Sequence, residues 1–374
     1  MDAAEAAAAS VSPRRIVVRS VGTAGAGIVG ALRHALPLPE EYLAACVYQA
    51  PAALIGPIDD GVARSVAEAL ARVGLVVDVL GVDEPFTPGG PDYDVALGIG
   101  QFERLVDVAQ EIAAFLGVTP ERAREMLCAC PAELIGKVSA NTVDAIRQRF
   151  EPLGVSVHAS RRASAVFDIF CPDSHRGEAC RIVRETSLLR EHADPPTQFA
   201  GCIAGGLDRQ TAESVWQRVR SASIPLRILN RDFQRFDVRL EEAADTPETM
   251  AFLVESASMP ERIARRIPGR TPIFTHHDVP RQEALDLLDR ISRLRARATA
   301  HVLAMQRFRL QLVRVGNADS SARLLEVLGG VDAAEARAVV RAMGTVNRPA
   351  TAHHARWLQH ELQRVGTEVR MLLA

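Results

Sequence analysis

The sequence predicts an α+β protein, a tandem array of small two-layer β-α-α-β-α-β domains, each with a three-stranded sheet covered by helices on one face. Two observations predict it. The string Pro-Ala-x-Leu-Ile-Gly occurs twice, ending at Gly56 and at Gly136, and each copy is followed 18 residues on by another glycine, Gly74 and Gly154. Five short β-branched or aromatic runs also recur at a near-constant period. They are Arg15-Ile16-Val17-Val18-Arg19-Ser20-Val21-Gly22, Tyr93-Asp94-Val95-Ala96-Leu97, Phe167-Asp168-Ile169-Phe170, Phe236-Asp237-Val238-Arg239-Leu240 and Phe308-Arg309-Leu310-Gln311-Leu312. Their starts lie 78, 74, 69 and 72 residues apart. Such periodicity has to be read as an array before any site is considered.

Each run opens a unit as a strand, because β-branched and aromatic side chains suit a pleated, half-buried surface. A helical middle follows. In the second unit Leu105, Val108, Ala109, Ile112 and Leu116 recur at helical spacing. Thr119 then caps a second helix with Pro120 at its first position, and Asp332 is the corresponding cap in the last unit. The close of each unit is an amphipathic helix, a break and an apolar strand: Val62 to Val73 with Gly74, Thr142 to Leu153 with Gly154, and Ala352 to Val365 with Gly366. The glycines suit the left-handed residue that ends a helix. In the third and fourth units Ser223 and Arg295 or Ala296 stand at the break instead. The units therefore run over 14–82, 92–160, 165–230, 235–304 and 307–374, the third and fourth being degenerate copies. The clearest linker is Asp83 to Asp92, rich in proline and glycine.

Composition excludes several classes. At 374 residues the chain exceeds one ordinary core. A net charge of -2 gives no global drive toward nucleic acid or anionic lipid. Lys137 is the only lysine among the 44 basic residues, an arginine bias that fits GC-rich coding. No apolar run reaches the roughly 18–20 residues of a membrane span. Met1 to Ser10 lacks the basic start of a secretory signal. Six scattered cysteines fit a reducing compartment, so a cytoplasmic protein is expected.

A unit of this size and order, with Gly-Val-x-x-x-x-Ala-Arg in its second helix, resembles the C-terminal domain of the bacterial ribosomal stalk protein (large-subunit proteins seven/twelve), a fold shared with the Clp-protease adaptor. The second unit is the nearest in pattern: Cys130 to Asn141 reads like the family's Ala-Pro-x-x-Leu-Lys-Glu-Gly-Val-Ser-Lys-x, one residue shorter. In the family, cations on the two middle helices contact translation GTPases. The family's Ile-Lys-x-Val-Arg is here Ala109-Gln110-Glu111-Ile112-Ala113, and its Leu-Lys-Glu-Ala-Lys is Pro120-Glu121-Arg122-Ala123-Arg124. Most of those cations are gone; Arg124 and, in the last unit, Arg337 remain. A charge-steered docking face depends on such groups, so the resemblance implies a shared fold with a different partner.

The remaining motifs are weighed residue by residue. Gly25-Ala26-Gly27-Ile28-Val29-Gly30 has the spacing of a dinucleotide loop, but no acid-ended second strand follows, and small packing residues are the simpler reading. His276-His277-Asp278 and His353-His354 with Trp357, His360 and Glu361 are the histidine clusters; His353, Trp357 and His360 share a helix face, read as mixed and exposed. Cys128-x-Cys130 reads as buried small apolar residues. Arg290, Arg293 and Arg297 are the candidates for contact with RNA phosphates. No catalytic set assembles from local spacing. The expectation is a non-enzymatic scaffold or adaptor for protein partners, without cofactor, metal, membrane or small-molecule substrate. Glu121, Arg122, Arg124, Glu335 and Arg337 are the contact face. The alternative is a translation-associated protein that binds the ribosome, translation GTPases or RNA.

Overall fold

A computed structural model describes residues 13–185, 198–220, 224–267 and 270–374. Among these the chain divides into two compact units. The first runs to Met126 and resumes over Glu133–Arg162; the second takes Leu127–Ala132 with Ala163–Ala374.

The first unit holds two sheets. One is built from β1 (Arg14–Ser20), α1 (Gly27–Ala35), α2 (Glu40–Tyr48), β2 (Ala52–Ile58), α3 (Asp60–Arg72) and β3 (Val76–Gly81). The other follows from β4 (Tyr93–Ile99), α4 (Leu105–Leu116), α5 (Pro120–Cys128), β5 (Ala132–Val138), α6 (Ala140–Phe150) and β6 (Val155–Arg161). In both, the strand that comes first in sequence lies centrally, in the orders β2-β1-β3 and β5-β4-β6. Ile16, Val17 and Val18 are fully buried on β1, as are Phe115 and Phe150 around the second sheet.

The second unit holds three more sheets. Its elements are β7 (Phe167–Phe170), α7 (Arg176–Glu185), β8 (Phe199–Ala200), β9 (Cys202–Leu207), α8 (Arg209–Val219) and β10 (Arg227–Asn230). Next come β11 (Arg235–Glu242), α9 (Pro247–Glu255), α10 (Glu261–Ala264), β12 (Ile273–Pro280), α11 (Arg281–Arg293) and β13 (Arg297–Val302). Last are β14 (Arg307–Arg314), α12 (Ala318–Val327), α13 (Ala333–Ala342), β15 (Ala350–Thr351), α14 (Ala352–Arg364) and β16 (Glu368–Leu373). The orders β10-β7-β9, β12-β11-β13 and β15-β14-β16 again place the earliest strand centrally. The fold is α+β, with small antiparallel sheets throughout, and one sheet gains a strand. Short β8 joins it parallel to β13, where Phe199 stacks on Phe236 with ring centroids 4.6 Å apart, so buried aromatic area holds it there.

Local signals read from sequence reappear as geometry. Thr119 Oγ1 accepts from the Arg122 N–H at 3.2 Å, and Asp332 Oδ1 accepts from Ala334 and Glu335 at 2.9 Å each. Gly74, Gly154 and Gly366 are left-handed, with φ of 95°, 78° and 78°, and Arg295 takes φ 55° at the corresponding break. Ser223 lies outside the described residues. These breaks predict an ordered series. Gly366→Ala is expected to cost about 1–2 kcal/mol from backbone strain alone, because an added Cβ meets nothing nearer than 3.7 Å. Gly74→Ala should cost about 2–3 kcal/mol, since its Cβ would fall 2.7 Å from the Ala24 amide nitrogen. Arg295→Gly should raise stability by up to about 1 kcal/mol. Urea unfolding of the three variants tests the order, and a stabilised Gly74→Ala would refute it.

Candidate functional site

Three sheets share a device that starts from an acid placed in an apolar central strand, where aspartate is ordinarily disfavoured. Asp94, Asp168 and Asp237 each sit second in an aromatic-Asp-Val/Ile run. Each accepts a backbone N–H from a left-handed residue of the neighbouring strand. The donors are Lys137 at 3.2 Å, Gly206 at 3.0 Å and Asp278 at 2.9 Å, with φ of 60°, 78° and 56°. Each carboxylate is also paired with an arginine: Arg162 to Asp94 at 2.6 Å, Arg231 to Asp168 at 2.7 Å and Arg356 to Asp237 at 2.9 Å. In the first sheet the matching second-strand residue is Pro57, which has no N–H to donate, and Arg15 stands where the acid would be. Sequence reasoning placed these aspartates in strands but missed their role. The thrice-repeated aromatic-Asp pair was the available signal.

Asp168 and Asp237 are sealed from solvent. Burial alone would raise their carboxyl pKa. For Asp168, hydrogen bonds from Arg231 and Gln234 outweigh it; for Asp237, His277 and Arg356 do. Both are held below the ordinary carboxylate range. Arg281 Nε stands 3.5 Å from Asp168 Oδ2, near enough for attraction but outside hydrogen-bond geometry, and its guanidinium lies over the Phe199 ring. With no solvent access, these carboxylates fasten the sheets.

A second polar group, also inside the second unit, includes a more accessible side chain. Asp278 is held by Arg235 at 2.9 Å, with Arg356 3.7 Å away. His353 Nε2 lies 3.1 Å from Asp278 Oδ2, and Cys130 Sγ lies 3.2 Å from His353 Nδ1. Desolvation opposes the charged imidazole, but the hydrogen bonds to Asp278 and Cys130 outweigh it and push the His353 pKa up to about 10. Two readings from sequence are corrected here. His353 and Trp357 are buried rather than on an exposed face, because the apolar residues beside them on α14 form the core of the last sheet. Cys128 is the buried small residue expected, whereas Cys130 is only half-buried and engages an imidazole.

The charged residues anticipated as contact faces lie on their helices as follows. On α5, Arg122 pairs with Glu125 at 2.8 Å and Arg124 with Glu121 at 3.0 Å, so this face is largely self-neutralised. Glu335 lies in the first turn of α13 and Arg337 is exposed. Arg290 lies over the Phe252 ring, Arg293 pairs with Asp289 and Arg297 with Glu242. These three belong to the second compact unit, and Glu121, Arg122 and Arg124 to the first. The Gly25–Gly30 loop packs against the end of α4: the Ala26 N–H donates to the Ala114 carbonyl at 3.0 Å, and a Cβ on Gly25 would stand 3.1 Å from that oxygen. Close packing accounts for Gly25, whereas a Cβ on Gly27 or Gly30 would meet nothing within 4 Å.

Two hollows lie on the surface of the described residues. One of about 510 Å³ lies beside β2 and is lined by Leu36, Pro37, Leu38, Tyr42 and Ile55 among others. The other, about 630 Å³, is lined among the described residues by α7. Among the described residues no group of three or more His, Cys, Asp or Glu converges to hold a metal ion, and no helix is long and apolar enough to cross a membrane. The chain matches no known family model, no curated protein and no solved structure.

Proposed function

We propose that the chain is a non-enzymatic scaffold or adaptor in which five stalk-like units, 14–82, 92–160, 165–230, 235–304 and 307–374, present related helical faces to protein partners. The observation that carries this reading is the recurrence of one strand order in all five sheets. Repeated small domains bind well when several weak contacts act together. Around α13 the charges of Glu335 and Arg337 lie on a helix followed by the exposed side chain of Met343, and Val327 is exposed at the end of α12. Apolar side chains rimmed by charge are the ordinary makeup of an interface.

Affinity capture with the full-length chain, followed by direct binding of the purified partner, tests the proposal. A defined protein should bind at low salt, release as salt rises, and bind at least about tenfold more weakly to an Arg124→Glu/Arg337→Glu variant. A partner that binds this variant as tightly as the unaltered chain would remove the proposed contact face. Co-sedimentation with ribosomes or elongation factors would favour the translation-associated alternative instead. Salt-sensitive RNA binding lost on changing Arg290, Arg293 and Arg297 would do the same.

A further inference from the structure

We propose that Cys130 is a peroxide-reactive thiol, with the charged His353 imidazole donating to its sulfur through Nδ1 and Asp278 holding that imidazole through Nε2. The three residues stand 223 and 75 positions apart in sequence, at hydrogen-bond separations of 3.2 and 3.1 Å. A thiol packed only as a small apolar side chain needs no such partner. An imidazole fixed on its far nitrogen by a carboxylate is stabilised in its charged form, and a cation at hydrogen-bond distance favours the thiolate of a neighbouring cysteine. Arg235, donating to Asp278 at 2.9 Å, keeps that carboxylate ionised and in place. Cys130 is half-buried and packs against the apolar side chains of two cores, an access suited to a small neutral oxidant. The inference stands apart from the scaffold reading, because it concerns modification of the chain and not turnover.

The chemistry balances with a hydroperoxide as oxidant. Cys130 gives its proton to solvent, and the thiolate sulfur, held against the charged imidazole, attacks one peroxide oxygen. The S–O bond forms as the O–O bond breaks; sulfur loses two electrons and the peroxide gains them. The leaving hydroxide takes the Nδ1 proton from His353 and departs as water, His353 regains a proton from solvent, and Cys130 is left as a sulfenic acid. Thiolate character and access govern such selectivity.

Cys180 is also half-buried and serves as an internal reference. The full-length chain is treated with hydrogen peroxide, the sulfenic acid is trapped with dimedone, and each cysteine is followed by peptide mass mapping. Cys130 should label about tenfold faster than Cys180. His353→Gln, which retains a hydrogen-bonding side chain but no charge, should bring Cys130 down to the rate of Cys180 without changing Cys180. If Cys130 labels no faster than Cys180 in the unaltered chain, the proposal fails. It fails equally if a folded His353→Gln chain, judged by circular dichroism, labels Cys130 at the original rate. The comparison within the unaltered chain decides alone if that variant does not fold.

Discussion

Asp168→Ala is expected to destabilise the second compact unit by about 3–5 kcal/mol, the usual cost of removing one partner from a buried ion pair. The carboxylate is fully buried, and what surrounds it was placed to meet a negative charge. Arg231 donates twice to Oδ1 and once to Oδ2, at 2.7 to 3.0 Å. The Gln234 amide donates at 3.0 Å, and the Gly206 N–H at 3.0 Å. Alanine leaves those donors facing a void, and Arg281 loses the anion that offsets its desolvation. Asp168→Asn keeps one acceptor oxygen and should fall between the two. Asp289→Ala is the control: its pair with Arg293 is exposed on both sides, so a change within about 0.5 kcal/mol is expected. Both tryptophans, Trp216 and Trp357, lie in this unit, and their fluorescence during urea unfolding reports on it directly. Equal midpoints for Asp168→Ala and Asp289→Ala would show that the buried carboxylate contributes nothing.

The contrast between these two aspartates also shows how far the sequence could be read. Strands were legible where β-branched and aromatic residues cluster, and β7 runs over Phe167–Phe170 as the pattern indicates. Helix ends were legible where a cap or a left-handed glycine marks them, at Thr119, Asp332 and Gly366. Such signals are local, set by atoms within a few residues of one another. The added strand β8 was not legible, because it is two residues long and held by Phe199 stacking on Phe236 of the sheet it joins. The polar sites were illegible for the same reason. Cys130, Asp278 and His353 come from a loop before one strand, a bulge within another and the start of a helix, and only the fold brings them together. A cysteine two residues from another invites a local reading, and the locally favoured one, simple burial, held for Cys128 alone.

His353 should make the second unit lose stability on the alkaline side, beginning near neutral pH. Its folded pKa of about 10 lies above the ordinary histidine value, roughly 6.5 when unfolded. A group raised on folding contributes in full below its unfolded pKa, and the contribution fades as pH rises through the folded value. The loss therefore runs from about pH 6.5 upward, with a ceiling on the order of 3–5 kcal/mol set by the shift. Buried Cys171 and Cys202, pushed up to about 11 and about 12 by desolvation, add a loss of the same sign only above the ordinary thiol range, near pH 8.5. The acid limb has other owners. Asp168, Asp237 and Asp278 are held low, so their contribution is lost as pH falls below about 4. Burial lowers His276, His301 and His354, and theirs is lost as pH falls below about 6.5. Between about pH 6.5 and 8.5 the decline is thus assigned to His353. Tryptophan-monitored urea midpoints across that interval should fall in the unaltered chain and stay level in His353→Gln. Parallel slopes in the two chains would mean that the imidazole is not held charged by Asp278 and Cys130. The acid limb should shrink in His353→Gln by the part that Asp278 owes to His353, whose hydrogen bond is the largest influence holding that carboxyl low.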